Sequence, residues 1–224
     1  MWQEWFELAQ LFRWNSPMAQ ALASAAVGSI ITLAWISAKD ARERRRQRHD
    51  TALEVALSLE GYARTCRTMM HKAAWAAAEP TRSISHEVVH SVSVPAFVYP
   101  DSVRWNVFSR KVISELREYP ATVHAVREHV AAFREFGEPI DLCSQVEYEC
   151  AKTAKAALTL ARGTRRRHGA ARWKPGVNDS AMERELSDFI ASAEEKRKVS
   201  LDRRKESMID RRAGTRPFES PLSA

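Results

Sequence analysis

The fold follows from residues 50–79, which read DTALEVALSLEGYARTCRTMMHKAAWAAAE. Small or apolar residues recur in this stretch at a seven-residue interval, in a row made of Ala52, Leu59, Cys66 and Ala73. A heptad spacing of this kind predicts an amphipathic, coiled-coil-like helix of about 30 residues. Pro80 ends the predicted helix, because proline has no N–H and its ring clashes with the preceding turn.

The rest of the chain is predicted to be helical as well, with proline and glycine as breaks. A helix with Asp101 as its N-cap is expected to stop at Tyr119-Pro120, and a second helix to end near Gly137. A third is expected to open at Asp141 and close at Gly163, and a last one to begin near Asn178. Residues 80–100 are predicted as an irregular connector, residues 164–178 as a basic linker and residues 213–224 as a disordered tail. The prediction for residues 50–212 is therefore an all-α antiparallel bundle, in which the 141–162 helix runs antiparallel beside the 50–79 helix.

The N-terminal part of the chain predicts a membrane anchor. Residues 18–38 carry no charge, and about 20 helical residues cross the ~30 Å hydrocarbon layer of a bilayer. We therefore expect a transmembrane helix at 17–38 that continues into the bundle, preceded by an interfacial aromatic leader at 1–16. A buried core helix rarely runs this long without a charge. A cleaved signal peptide has a basic start and a shorter apolar core, whereas this leader carries Glu4, Glu7 and Arg13.

The flanking charges predict the direction of that helix. Residues 39–48 hold six basic residues against two acidic ones, so the basic juxtamembrane segment at 39–49 is expected on the cytoplasmic side. This predicts a single-pass protein with its N-terminus outside and its C-terminal domain in the cytoplasm, in the inner membrane of a bacterium. Ser24 and Gly28 belong to rows of small residues at fourfold spacing, which predict helix–helix contact and a homo-oligomer.

The formal net charge of +7 predicts an anionic partner. Membrane lipid is the expected partner, with headgroup contacts from two clusters: Arg42, Arg44, Arg45, Arg46 and Arg48 in the first, and Arg165, Arg166, Arg167, Arg172 and Lys174 in the second. Nucleic acid is not expected, because no zinc finger, RNP-type or helix-turn-helix signature accompanies the charge. The three cysteines have no CxxC spacing, so buried reduced thiols are expected, with a Cys143–Cys150 metal pair as the alternative.

One motif indicates a candidate catalytic site. His86-Glu87-Val88-Val89-His90 matches the H-E-x-x-H of zinc peptidases, in which two histidines bind zinc and the glutamate acts as general base. Against this, the segment is rich in Ser and β-branched residues and alternates like a strand, and no third ligand follows at a known spacing. The competing interpretation is a surface connector with two solvated histidines.

These observations predict a non-enzymatic, membrane-anchored helical interaction or scaffold module without a cofactor, which binds an unidentified protein partner or self-associates. The first alternative is a zinc-dependent membrane peptidase with Glu87 as the catalytic base and His86 and His90 as ligands. The second is a membrane-perturbing effector that acts by assembly of its span.

Overall fold

The computed structural model describes residues 17–78, 91–136 and 138–214. These ranges form four α-helices and two short 3-10 turns, and they contain no strand. The helices are α1 (Pro17–Ala78), α2 (Arg110–Phe136), α3 (Pro139–Arg167) and α4 (Met182–Gly214). The 3-10 turns are Trp105–Val107 and Val177–Asp179. The all-α prediction is confirmed for this part of the chain.

The chain divides into two compact units, Met1–Asp50 and Thr51–Ala224. In the first unit, the described side chains from 24 to 46 are all exposed. In the described part of the chain, no helix combines the length and apolar character needed to cross a membrane. The predicted transmembrane span therefore stays a prediction, and the aromatic leader at 1–16 lies outside the described residues.

The core of the second unit is built on the buried face of α1. Every member of the heptad row at 52, 59, 66 and 73 is 0% exposed, as the seven-residue spacing predicts. Beside α1 lies α3, whose buried residues from 150 to 161 are small apart from Leu158 and comprise Cys150, Ala151, Thr153, Ala154, Ala157 and Ala161. Two small-residue faces permit a close approach of the helices, and Cys66 Sγ lies 3.7 Å from Thr153 Oγ1.

Contacts between distant residues give the directions of the helices. Cys66 of α1 meets Thr153 of α3, while Glu60, nearer the start of α1, meets Arg165 near the end of α3. The two helices are therefore antiparallel, in agreement with the sequence-based prediction. The helices α3 and α4 are also antiparallel, because Tyr148 donates a hydrogen bond to Glu194 while Arg162, further along α3, pairs with Glu183, nearer the start of α4.

The predicted break at Tyr119-Pro120 is wrong, because α2 runs through Pro120 without interruption. A proline inside a helix deprives the carbonyl four residues earlier of its N–H donor. Here that carbonyl belongs to Leu116, and the buried hydroxyl of Tyr99 donates to it at 3.0 Å. A side chain from outside the helix thus replaces the hydrogen bond that Pro120 removes.

The segment from 91 to 104 is irregular and belongs to the core. The helix that was predicted to start with Asp101 as its N-cap begins instead at Arg110, after the 3-10 turn at Trp105–Val107. Within the irregular segment, Val92, Val94, Phe97 and Tyr99 are buried. Its backbone carbonyls accept hydrogen bonds from surrounding side chains: Arg134 Nη2 donates to Val92 (2.9 Å) and Arg127 Nε to Val94 (3.1 Å). A buried segment without regular structure needs such donors, because its carbonyls have no helical or sheet partners.

Candidate arginine-lined site

The C-terminal end of α3 and the loop after it form a polar site in the described part of the second unit. The helix was predicted to close at Gly163, but it continues to Arg167, and Gly169, two residues beyond its end, has a φ of +66°. The N–H of Ala170 donates to the carbonyl of Arg165 at 2.9 Å, which is the closing bond of a Schellman motif. Glycine takes the left-handed conformation without the steric cost of a Cβ. The chain therefore reverses here, and residues 170–175 fold back beside α3.

A buried ion pair between α1 and α3 lies inside this reversal. Glu60 is 1% exposed and Arg165 is 6% exposed. Arg165 Nε donates to Glu60 Oε1 at 2.7 Å, and Nη2 donates to Oε2 at 2.9 Å, so the pair is bidentate. The third arm, Nη1, donates to the carbonyl of Ala171 at 2.8 Å and ties the returning loop to the helix.

The position of Arg165 corrects the sequence-based prediction, which placed it on the surface for contact with lipid headgroups. Its guanidinium is enclosed and its donors are committed to Glu60 and Ala171. Glu60 was not identified from the sequence. The available signal was a carboxylate at helical spacing between Ala56 and Ala63 on an otherwise apolar face. Such a position favours a buried partner, because an unpaired buried charge is costly.

A cavity of about 520 Å³ opens beside this pair. Four arginines border it (Arg162, Arg165, Arg166 and Arg172), together with the carboxylates of Glu60, Asp179 and Glu183. Its other walls include Leu158, Ala170, Trp173 and Pro175. The volume lies within the range of about 300–1,000 Å³ that is typical of small-molecule pockets.

Ion pairs from α1 hold the loop that lines one side of the cavity. Arg64 Nε pairs with Asp179 Oδ2 at 2.7 Å, and its guanidinium lies 5.7 Å from the centre of the Trp173 ring. Arg67 pairs with Glu185 at 2.6 Å and donates to the carbonyl of Asn178 at 2.7 Å. These contacts fix residues 173–185 against α1 and give the cavity a defined wall.

The other members of the predicted basic cluster have different surroundings. Arg166 and Arg172 are exposed at the cavity, and Lys174 is exposed in the loop. Arg167 pairs with Glu115 of α2, and its hydrogen bond lowers the pKa of that carboxyl below the usual value. The structure thus brings Arg165, Arg166 and Arg172 to one cavity and directs Arg167 elsewhere. Headgroup contact by the exposed members stays a prediction.

A second polar cluster lies in the core, where the three cysteines are unpaired and buried. The hydrogen bond with Cys66 and burial both raise the pKa of the Cys150 thiol. Burial also raises the pKa of Tyr62 and Tyr119, whose hydroxyls donate to the carbonyls of Pro95 and Thr153. Cys150 and these tyrosines therefore stay protonated at neutral pH and act as structural hydrogen-bonding groups.

The structure does not test the remaining predicted sites. The H-E-x-x-H motif, with His86, Glu87 and His90, lies outside the described residues. Within those residues, no group of three or more His, Cys, Asp and Glu side chains is placed to hold a metal ion. On α1, a Cβ added to Gly28 meets nothing within 4 Å, and Ser24 Oγ donates to the carbonyl of Ala21 at 2.9 Å. Helix–helix contact through Ser24 and Gly28 stays a prediction.

No family model, no curated protein and no solved structure matches the chain.

Proposed function

We propose that the chain is a non-enzymatic, membrane-anchored helical module, in which residues 17–38 insert into a bilayer and the bundle carries the binding surface. The observation that supports this most is the exposed apolar surface of α1. Its large side chains are between 48% and 69% exposed and comprise Val27, Ile30, Ile31, Leu33, Trp35 and Ile36. Burying such side chains contributes about 1.5–3 kcal/mol each, so a bilayer is a strongly favourable environment for them.

The charge pattern supports the same proposal. The uncharged run ends at Ala38, and an exposed basic segment follows that includes Arg42, Arg44, Arg45, Arg46 and Arg48. Each basic residue near an anionic membrane surface contributes about 1 kcal/mol. Together with the positive-inside rule, this supports a topology with the bundle on the cytoplasmic side and the leader on the opposite side.

Fractionation of cells that express the full chain tests the anchor. The wild-type protein is expected in the membrane pellet after a high-salt wash, because apolar insertion does not depend on ionic strength. Ile30→Asp combined with Leu33→Asp moves the protein into the soluble fraction or into aggregates, since a charge at the centre of a span costs about 2.5–3.5 kcal/mol. Leu201→Asp, at an exposed position of α4, is the matched control and stays in the pellet. A wild-type protein that is soluble after lysis contradicts the proposal.

Self-association through the anchor is part of the proposal. The small-residue row with Ser24 and Gly28 permits close approach of two copies of α1. Crosslinking in membranes is expected to give a dimer that Gly28→Leu abolishes. Val27→Leu, one residue earlier and without loss of a small side chain, leaves the dimer intact. Equal crosslinking of all three proteins refutes helix contact through this row.

The alternative function, a zinc-dependent peptidase, is supported by the spacing of His86, Glu87 and His90 alone. Metal analysis of the detergent-purified chain decides between the two. The interaction module predicts no stoichiometric zinc and no effect of Glu87→Gln on any activity. If the chain contains one zinc ion and His86→Ala removes it, the peptidase is correct and our proposal is wrong. Leakage of vesicles on addition of the purified chain supports the membrane-perturbing effector instead.

A further inference from the structure

The charges around the cavity beside α3 are unevenly compensated. Among the described residues, each carboxylate of its lining is paired with an arginine: Glu60 with Arg165, Glu183 with Arg162, and Asp179 with Arg64. Arg166 and Arg172 have no carboxylate partner in that part of the chain. The net positive charge of the cavity therefore resides on these two side chains.

In the described part of the chain, the cavity has a solvent-exposed side with free arginines and a buried side with an ion pair. Arg166 and Arg172 are exposed, so their guanidinium groups lie on the solvent side. Glu60 and Arg165 form the buried side. Their charges neutralise each other in a bidentate ion pair, so this side has, among the described residues, no unpaired charge that would attract a ligand ion. Leu158 and Trp173 contribute apolar wall, and the Trp173 ring is held in place beneath Arg64.

We propose that this cavity binds a small phosphate monoester with an apolar or aromatic body. The phosphate group lies between Arg166 and Arg172, because guanidinium forks match phosphate oxygens and two such cations balance its charge of about −1.5 to −2. The body enters the cavity and packs against Leu158 and Trp173, whose indole offers a flat apolar face. The proposal concerns the second unit only and does not depend on membrane anchoring.

The structural role of the loop supports a preformed site. Gly169 reverses the chain, Arg165 fixes Ala171, and Arg64 fixes Asp179, so the wall that carries Arg172 and Trp173 is held at both ends. A preformed wall reduces the entropy lost on binding. The ligand class has two natural sources, a lipid-derived phosphate with an alkyl chain and a soluble phosphate with an aromatic ring.

Calorimetric titration of the full chain in non-ionic detergent tests the proposal with three probes: inorganic phosphate, hexyl phosphate and adenosine monophosphate. Saturable binding is expected for at least one of the two probes that carry a body, with at least about tenfold weaker binding of inorganic phosphate. A preference for hexyl phosphate assigns the lipid-derived source, and a preference for adenosine monophosphate assigns the soluble one. Absence of saturable binding for all three probes overturns the proposal.

Two variants separate a specific pocket from general charge attraction. Arg166→Gln with Arg172→Gln is expected to weaken the bound probe at least about tenfold, since both arginines donate charged hydrogen bonds to it. Lys198→Gln with Arg203→Gln removes the same charge from exposed positions of α4 and changes the affinity less than about twofold. Equal losses in the two double variants overturn the proposal.

Trp173→Leu tests the position of the body. It is expected to weaken the probe that carries a body and to leave inorganic phosphate unchanged, because only the body contacts the ring. Circular dichroism of each variant verifies that the helices are intact. A Trp173→Leu protein that is folded and binds the body-bearing probe as tightly as the wild type contradicts the assigned orientation.

Discussion

Glu60→Gln tests how much the buried ion pair between Glu60 and Arg165 contributes to the stability of the second unit. The carboxylate is 1% exposed and accepts two hydrogen bonds from Arg165, at 2.7 and 2.9 Å. Glutamine keeps the shape and one acceptor oxygen, but it leaves the guanidinium charge buried without a counter-charge. The substitution therefore tests the electrostatic part of the pair with little change in packing.

The expected loss of unfolding free energy follows from the burial of both Glu60 and Arg165. Breaking a buried ion pair by removal of one partner costs about 3–5 kcal/mol, and the remaining acceptor of glutamine places this variant near the lower end. For a domain of about 150–250 residues, each kcal/mol lowers the melting temperature by about 2–4 °C, so a decrease of about 6–12 °C is expected. Circular dichroism melting of the detergent-purified chain measures it.

Two further variants decide whether the reasoning is correct. Glu60→Leu with Arg165→Met removes both charges and is expected to recover most of the lost stability, since a packed apolar pair replaces a buried ion pair at little cost. Glu115→Gln disrupts a more exposed pair and is expected to lower the melting temperature far less than Glu60→Gln does. A Glu60→Gln protein as stable as the wild type, or a double variant no better than the single one, refutes the account of a buried and mutually dependent pair.

Three other predictions follow from local geometry. Gly169→Ala destabilises the fold by about 1–2 kcal/mol because φ is +66°, whereas Gly163→Ala, inside α3 and with open space around its Cβ, stabilises it by up to about 1 kcal/mol; chemical denaturation measures both. Tyr99→Phe costs about 1–3 kcal/mol in the wild type and less in a Pro120→Ala background, where a helical N–H again serves the freed carbonyl. Nuclear magnetic resonance titration is expected to give a pKa of Glu115 below its usual value of 4.5. Because the pKa is lower in the folded state, the ion pair stabilises the fold above pH 4.5, and this stabilisation is lost as the pH falls through the pKa of the folded state.

The sequence was sufficient for features that depend on local periodicity. The seven-residue row of α1 was recognisable because each member is small or apolar, and all four members are buried. Features that depend on distant partners were not accessible in this way. The carbonyl that Pro120 leaves without a helical donor is served by Tyr99, 17 residues from Leu116, so a rule based on neighbouring residues predicts a break instead.

The candidate site shows the same limit. Arg165 looks like its neighbours Arg166 and Arg167 in a basic run, and only the fold reveals that its partner is Glu60, 105 residues away. The choice between Gly163 and Gly169 as the end of α3 also depends on context. Glycine is tolerated inside a helix at a cost of about 1 kcal/mol, and the basic residues that follow Gly163 favour a helix C-terminus further along.

Protease protection in inverted inner-membrane vesicles tests the central claim most directly, with tags at both ends of the full chain. The anchored topology predicts that added protease removes the C-terminal tag and leaves the N-terminal tag on a short fragment that resists extraction at alkaline pH. Digestion of both tags, or release of the undigested chain by alkaline extraction, contradicts the claim that residues 17–38 hold this protein in a membrane.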